Sequence, residues 1–562
     1  MPSIIGKSQS IVMACSAVLV AGLANALAQD KVPDFSYSRP QGEPQKLKAL
    51  PRERPTVPQV RFGNFRPFNE IDNFILARIK AEKVKPAKLC DDWDFARRAS
   101  LDLVGLIPTA TDLERFFKWN EMERRSKWVD FLLRQPQYAD HWTIFWGDLL
   151  RERDRVRGAP NGALKRFIHR SLIENRPYNQ WVQDLITAQG PADENDAAAY
   201  ILRDRGDPDV LTVSVTQSLL GIQLKCAQCH DHPTDWWTQK QFQGMAGFWH
   251  GSRPRPYRTE EVRVGDRVIP MPIFRLEDRE RRADGTYITG ATSDLGRGRR
   301  ALADLITRRD DPFFARVAVN RLWNKLMGAG LVMPVDNFSA LNPPSHPELL
   351  DWLALEFVDH NYDLRHILRM IATSRTYQQM SARKVPKLVR KVSDNGDESA
   401  RAPGALFEFM PLRRMSAEQI QDSILAATGR YRSQNWLRAS ILKPYPPPPR
   451  DFLTVFGVSD RETLLPRPTT GSVQQSLTLM NGDFVSAAIR IHPDHPLVYW
   501  DRQSSLTSAQ LVDALFAQFL TRLPTVRERQ WAVNYVGYGQ YEWAWEDLQW
   551  ALINTREFQY IR

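Results

Sequence analysis

The chain has 562 residues, 43% of them hydrophobic and 25% charged, with a formal net charge of +11. That length exceeds one core, so two or three domains are expected. The composition is ordinary for a soluble globular protein, and no stretch beyond the N-terminus is apolar enough to span a bilayer. Seventeen tryptophans point to helices packed around large aromatic anchors, and only secondarily to stacking on sugars.

The N-terminus reads as a secretory signal. Lys7 supplies the positive region, residues 11–23 the apolar run, and Ala26-Leu27-Ala28 a small-x-small cleavage site before Gln29. Cys15 lies inside the apolar run, which argues against a lipid anchor on it. Residues 1–28 are therefore assigned as signal peptide, and the mature chain is expected in the periplasm or secreted, with no membrane anchor after cleavage. Export makes nucleic acid an implausible partner. The basic runs at 151–157, 275–282, 296–300 and 383–391 read as solvated faces, or as attraction to an acidic redox partner or an anionic polysaccharide.

Residues 29–60 are rich in Pro, Lys and Gln and read as an extended tether. Helical patterns then follow at 69–79, where Ile71, Phe74, Ile75 and Ile79 share a face, and at 91–106. Thr109 and Thr111 offer caps for a helix to 117. Further helices are expected at 126–134, 138–153, 163–174 and 179–188. Residues 209–228 read as one helix, with Val210, Val213, Leu219, Leu220 and Ile222 on its buried side, and 238–249 as the next. Residues 251–296 change character. Alternation at 261–264 and 267–269 around Gly265-Asp266 is a hairpin signal. Helices resume at 299, 312–326, 347–357, 363–374, 416–428, 473–490, 508–522 and 541–553. Ser416-x-x-Gln419 forms a capping box. The fold class expected is mainly α: a helical domain at 61–250, a small β-containing insertion at 251–296 and a second helical domain at 297–562.

Cys226-Ala227-Gln228-Cys229-His230 fits Cys-x-x-Cys-His, the attachment pattern of a c-type haem. On a helix these three side chains share one face: two thiols for thioethers, and His230 as proximal ligand. One covalent haem c is the expected cofactor. Met245, Met271 and His346 are candidates for the sixth position. The same spacing also suits a dithiol or disulfide pair, or zinc if His230 is joined by His232 or His346. Export leaves Cys90, Cys226 and Cys229, an odd number that argues against a disulfide framework.

Asp148, Asp231, Asp235 and Asp336 raise a different chemistry, since a close carboxylate pair can hydrolyse glycosides. Asp148, Asp336 and His346 are the candidate catalytic residues. Asn320 and Arg321 could anchor an anionic substrate or tie the domains together.

The segment from Leu220 to Pro233, with Asp235, Trp237-Thr238-Gln239, Leu101-Asp102-Leu103-x-Gly105-Leu106-x-Pro108-Thr109 and Asn175-Arg176-Pro177-Tyr178, resembles the cytochrome c-like domain of a planctomycete-type secreted family of unknown function. Asn320-Arg321-x-Trp323, Asn342-Pro343-Pro344-Ser345-His346-Pro347, Leu412-Arg413-Arg414-Met415 and Met480-Asn481-Gly482 resemble the partner domain that follows it. The resemblance covers the chain from about residue 61 onward. It implies secretion, a Cys-x-x-Cys-His domain and a two-domain layout, but no known reaction. Many relatives carry a further N-terminal cytochrome c domain that this sequence does not show, so transfer between two haems is not expected. Arg461-Glu462-Thr463-Leu464-Leu465 departs from the family, which places cysteine and acidic residues after the Arg-Glu-Thr. The resulting expectation is an exported haem c protein that transfers electrons or oxidises a substrate. The alternative is a haem-free secreted carbohydrate-active or scaffold protein.

Overall fold

The computed structural model describes residues 48–562 except 62–64, 265–266, 280–281, 383–388, 393–397, 402–403, 431–438, 463–466, 468–469, 505 and 538–541. The signal peptide, most of the tether, the Gly265-Asp266 turn and much of the 383–391 basic run lie outside the described residues. The rest is mainly α, about 52% helical, with only small antiparallel sheets.

The helices start where their caps dictate. Asp91 accepts from the Asp94 amide to open Asp92–Leu103, and Thr109 and Asp112 form a reciprocal capping box ahead of Ala110–Lys118. Ser416 and Gln419 do the same for Ala417–Ala427. Apolar periodicity then decides what is buried. Ile71, Phe74, Ile75 and Ile79 all face inward from Glu70–Ala81. Trp128, Trp142, Trp146, Trp181, Trp249 and Trp323 are fully buried, so many of the tryptophans are core anchors. The sequence expectation of one helix over 473–490 is divided at Gly482 into Val473–Asn481 and Asp483–Ala488. Val526–Gly537 and Pro496–Ser504 are helices the periodicity did not reveal.

Two apolar cores result. The larger gathers residues from Leu50 to Met410, including both the early helices and Arg299–Thr307, Phe314–Met327, Pro347–Asp359 and Leu364–Thr373. The smaller is built from residues 415–561 and takes in Leu101 and Ile107 from the first half of the chain. The larger core thus continues through 251–296 to Met410 and also takes in Ala517. Residues 48–60 are not a free tether: Leu50 is buried, and Arg54 pairs with Glu356 and Asp359.

The insertion is a hairpin longer than its sequence signal. Ser252–Val264 pairs antiparallel with Arg267–Asp278 over its whole length, Val264 facing Arg267, and Gly190–Pro191 adds a short third strand to Arg267–Asp278. Several expected basic faces are absorbed by partners. Arg151 pairs with Asp204 and Arg153 with Glu462. Buried Arg299 pairs with Asp278 at 3.1 Å and donates to the Ile186 and Ala188 carbonyls.

Candidate functional site

The Cys226–His230 segment is not helical in the way its spacing suggested. The helix carrying it stops early, as Pro208–Leu220, because Gly221 takes a left-handed conformation at φ 62°. A Cβ there would lie 2.9 Å from Val317 Cγ2 and 3.0 Å from Phe338 Cδ2, so glycine is required twice over. Ile222 and Leu224 continue the apolar run as buried loop, which is why the pattern appeared to extend to 228. Val210, expected inside, is 39% exposed. Lys225–Gln228 then forms one 3₁₀ turn.

On that turn Cys226, Cys229 and His230 are all exposed, Ala227 is buried, and both thiols are free. Gln239 clamps the turn by donating to the Cys229 and Gln228 carbonyls at 3.0 and 3.3 Å. His230 Nδ1 lies 2.6 Å from the Asp231 carbonyl oxygen. If it donates there, Nε2 is left as the ligating nitrogen. His232 bonds through its ring to the Thr234 amide at 3.3 Å and through its own amide to the Trp237 carbonyl at 2.8 Å, and Met245 is core. The donor set of two thiols and an imidazole suits covalent haem. Its surroundings do not enclose one, since all three side chains face solvent.

Enclosure is found elsewhere. A cleft of about 740 Å³ opens between Pro136–Leu149, Phe314–Met327 and Ala417–Ala427, and its lining includes Asp148 and Asp336 but none of Cys226, Cys229, His230 or His346. Two of the expected catalytic residues, far apart in sequence, are thus brought to one place. His346 is not with them. It is 4% exposed, its Nδ1 lies 3.0 Å from Ser345 Oγ, and burial pushes its pKa down to about 4. It is a neutral histidine at the start of Pro347–Asp359. Among the described residues neither His230 nor His346 joins a group of three converging ligand atoms.

The cleft is a lattice of charges. Asp148 accepts from Arg461 Nε at 2.9 Å and from Arg467 Nε at 2.7 Å. Glu418, though buried, has its carboxyl held well below the usual range. Burial opposes this, but the Arg467 charge and hydrogen bonds from Arg467 (2.6 Å) and Tyr445 outweigh it. Asp336 accepts from Gln217 Nε2 at 2.6 Å. Asp102 takes both guanidinium nitrogens of Arg413 at 2.9 and 2.7 Å. Glu418, held ionised, does not supply the neutral acid that glycoside hydrolysis needs, and Asp148 is engaged by two arginines.

The cations are less fully matched. Arg321 donates only to the backbone carbonyls of Gln217 and Ser218, and burial brings its pKa to about 10. Arg414 donates to the Thr470 carbonyl and lies over the Phe456 ring. Lys325, half-buried, has no side-chain partner among the described residues. Burial, with Arg467 and Arg413 adding to it, pushes its pKa down to about 8. Asn320 is wholly buried and exchanges hydrogen bonds with Val332 at 3.0 Å each way, so it holds a loop.

Residues 70–253 match a family model described as PSCyt2, a protein of unknown function (DUF1549), and residues 298–447 match one described as PSD1, a protein of unknown function (DUF1553). The two matches fit a two-domain, planctomycete-type family of unknown function. No curated protein and no solved structure matches the chain. The first match contains Asp148 and the Cys226–His230 turn. The second contains Arg321, Lys325, Asp336, Arg413 and Glu418, while Arg461 and Arg467 fall outside both. Lys325, Glu418 and Arg467 were not flagged by the sequence. Glu418 sits inside the Ser416 capping box, where a carboxylate reads as a helix-start residue, and Lys325 carries no local signal at all.

Proposed function

We propose that the protein binds an anionic ligand, a glycan bearing carboxylate or sulfate groups, in the cleft between Pro136–Leu149, Phe314–Met327 and Ala417–Ala427. The observation that carries this reading is Lys325, an amine facing the cleft with no hydrogen-bonded or ion-paired carboxylate among the described residues. Arg321 and Arg414 line the same cleft with no ion-paired carboxylate among the described residues. Around them Asp102, Asp148 and Glu418 are already committed to arginines. An incoming anion replaces a missing partner instead of displacing one. The volume falls within the range of small-molecule sites, and Phe145 and Tyr560 offer rings against which sugars can lie. The test is calorimetry with sulfated, uronic and neutral oligosaccharides. Saturable binding of the anionic sets, weakened about tenfold or more in Lys325→Ala, is expected; no binding, or equal binding of neutral sugars, refutes the reading.

A second reading keeps the exported haem c protein, with electron transfer or substrate oxidation as its task and an acidic redox protein as its partner. Two free exposed thiols three residues apart and the fixed ring of His230 favour it. When bound, the haem supplies one-electron chemistry; the chain's part is attachment through Cys226 and Cys229 and ligation through His230. Haem staining of the denatured protein, made with c-type maturation and exported, decides it, and N-terminal sequencing shows whether the mature chain begins at Gln29. A colourless band rules it out.

A further inference from the structure

We propose that Glu356, His360 and His366 form a binding site for one divalent ion of the zinc class, its carboxylate steadied from behind by Arg54. The site is remote in sequence from the Cys226 turn and contains none of the cleft residues.

The local fold builds it. Glu356 lies in the last turn of Pro347–Asp359, and His360 is the C-cap. Asn361 and Tyr362 follow with left-handed φ values of 55° and 53°, reversing the chain within two residues. Asp363 then caps Leu364–Thr373 by accepting from the amides of Arg365 and His366. This fixes His366 in the first turn, directed back at Glu356.

The distances are those of a ligand set. Glu356 Oε1 is 2.8 Å from His366 Nε2 and 3.2 Å from His360 Nδ1. All three ligand atoms fall within 4.8 Å of one another, a grouping found nowhere else among the described residues. A tetrahedral ion with bonds of about 2.0–2.1 Å separates its ligands by roughly 3.3 Å. The imidazoles stack, with centroids 3.8 Å apart, so the exposed His360 ring turns out of the stack for both rings to present a nitrogen to one ion. His360 Nδ1 also lies 2.9 Å from the Glu356 carbonyl oxygen. An ion entering here replaces the ring hydrogen bonds to Glu356, and each neutral imidazole carries its N–H on the other ring nitrogen.

Two further features suit an ion. The other carboxylate oxygen, Oε2, pairs with Arg54, an outer contact of the kind that orients ligating carboxylates. His360 is exposed and His366 half-buried, leaving an open side where water completes the coordination. Two imidazoles and a carboxylate select zinc-like ions over calcium or magnesium, which favour all-oxygen sets.

The experiment uses the full chain carrying Cys226→Ser and Cys229→Ser, so that the exposed thiols cannot supply ligands. Zinc chloride calorimetry is expected to give one ion per chain. Cobalt is expected to give the visible bands of a tetrahedral site. His360→Asn, at an exposed position, and His366→Asn are each expected to weaken zinc about tenfold or more, and Arg54→Gln about tenfold. Absence of saturable zinc binding in the thiol-free chain, or binding unchanged by His360→Asn, overturns the proposal.

Discussion

Tyr377 donates its hydroxyl to Asp102 at 2.7 Å, joining two buried residues 275 positions apart in the chain. The same carboxylate takes the Arg413 guanidinium, so one aspartate holds the helix Asp92–Leu103 to two distant segments. Removing it leaves a buried hydroxyl and an uncompensated guanidinium. Asp102→Ala is expected to destabilise the protein by about 3–5 kcal/mol. Urea unfolding checks this, and a loss below about 1 kcal/mol would show that Arg413 escapes to solvent.

Gly221 ends the helix ahead of the cysteine turn in a conformation that L-residues avoid. Gly221→Ala is expected to cost about 2–4 kcal/mol, from left-handed strain together with contact on Val317 and Phe338. Thermal unfolding measures it. An alanine tolerated without loss would mean the helix runs on toward Cys226.

Asp311 is buried beneath Tyr287 and accepts from the Phe313 and Phe314 amides. Burial pushes its pKa up to about 6 from an ordinary 3.8, against those hydrogen bonds. Because the folded value is the higher one, the folded state holds the proton more tightly. The cost of ionising it is absent below about pH 4, grows between 4 and 6, and is complete above 6, reaching about 3 kcal/mol. Asp311→Asn does not titrate, keeps one acceptor oxygen for the two amides and turns an NH2 toward the Tyr287 oxygen. Denaturation across pH 4–7 should therefore show the variant gaining on the native chain as pH rises; parallel curves would contradict this.

Lys325, brought down to about 8, sets the pH dependence of the proposed anion site. The protonated amine is the binding form, so affinity is expected to be level below about pH 7 and to fall as pH passes 8, approaching tenfold per unit. Lys325→Arg remains charged and should flatten the profile. Calorimetry from pH 6.5 to 9.5 distinguishes the two.

The three cysteines of the described chain differ sharply in access. Cys226 and Cys229 are exposed, Cys90 is buried, and burial raises the Cys90 thiol's pKa. Titration of haem-free native protein with an aromatic disulfide should modify two thiols quickly and the third only on unfolding. Three fast thiols would show that the Cys90 pocket opens.

Local rules were readable from the residues. Thr109, one of the two caps offered there, and Ser416-x-x-Gln419 mark helix starts, and the hairpin signal around residue 265 anticipates the pairing of Val264 with Arg267. The helix through Cys226 was misjudged because Ile222 and Leu224 carry on the apolar run past the glycine that stops it. Asp148 and Asp336 were singled out and do share a cleft. What makes that cleft distinctive was not legible: Arg467 reaches Asp148 across 319 residues, and the depressed pKa of Lys325 is a product of burial and tertiary neighbours, not of any short motif. Glu356 and His360 stand four apart on a helix, a legible pair, but His366 joins them only through the two-residue reversal at Asn361 and Tyr362.

The matched families part at the hairpin, between residues 253 and 298, while the larger core runs straight through that boundary to Met410. A fragment ending at the hairpin would leave bare the walls that Leu302, Trp323 and Leu353 now cover. The larger core then draws its walls from both halves. A chain bearing one without the other would have to borrow its missing wall from a second polypeptide, and coexpression of residues 29–296 with 297–562 as separate chains should restore a soluble pair where either alone precipitates.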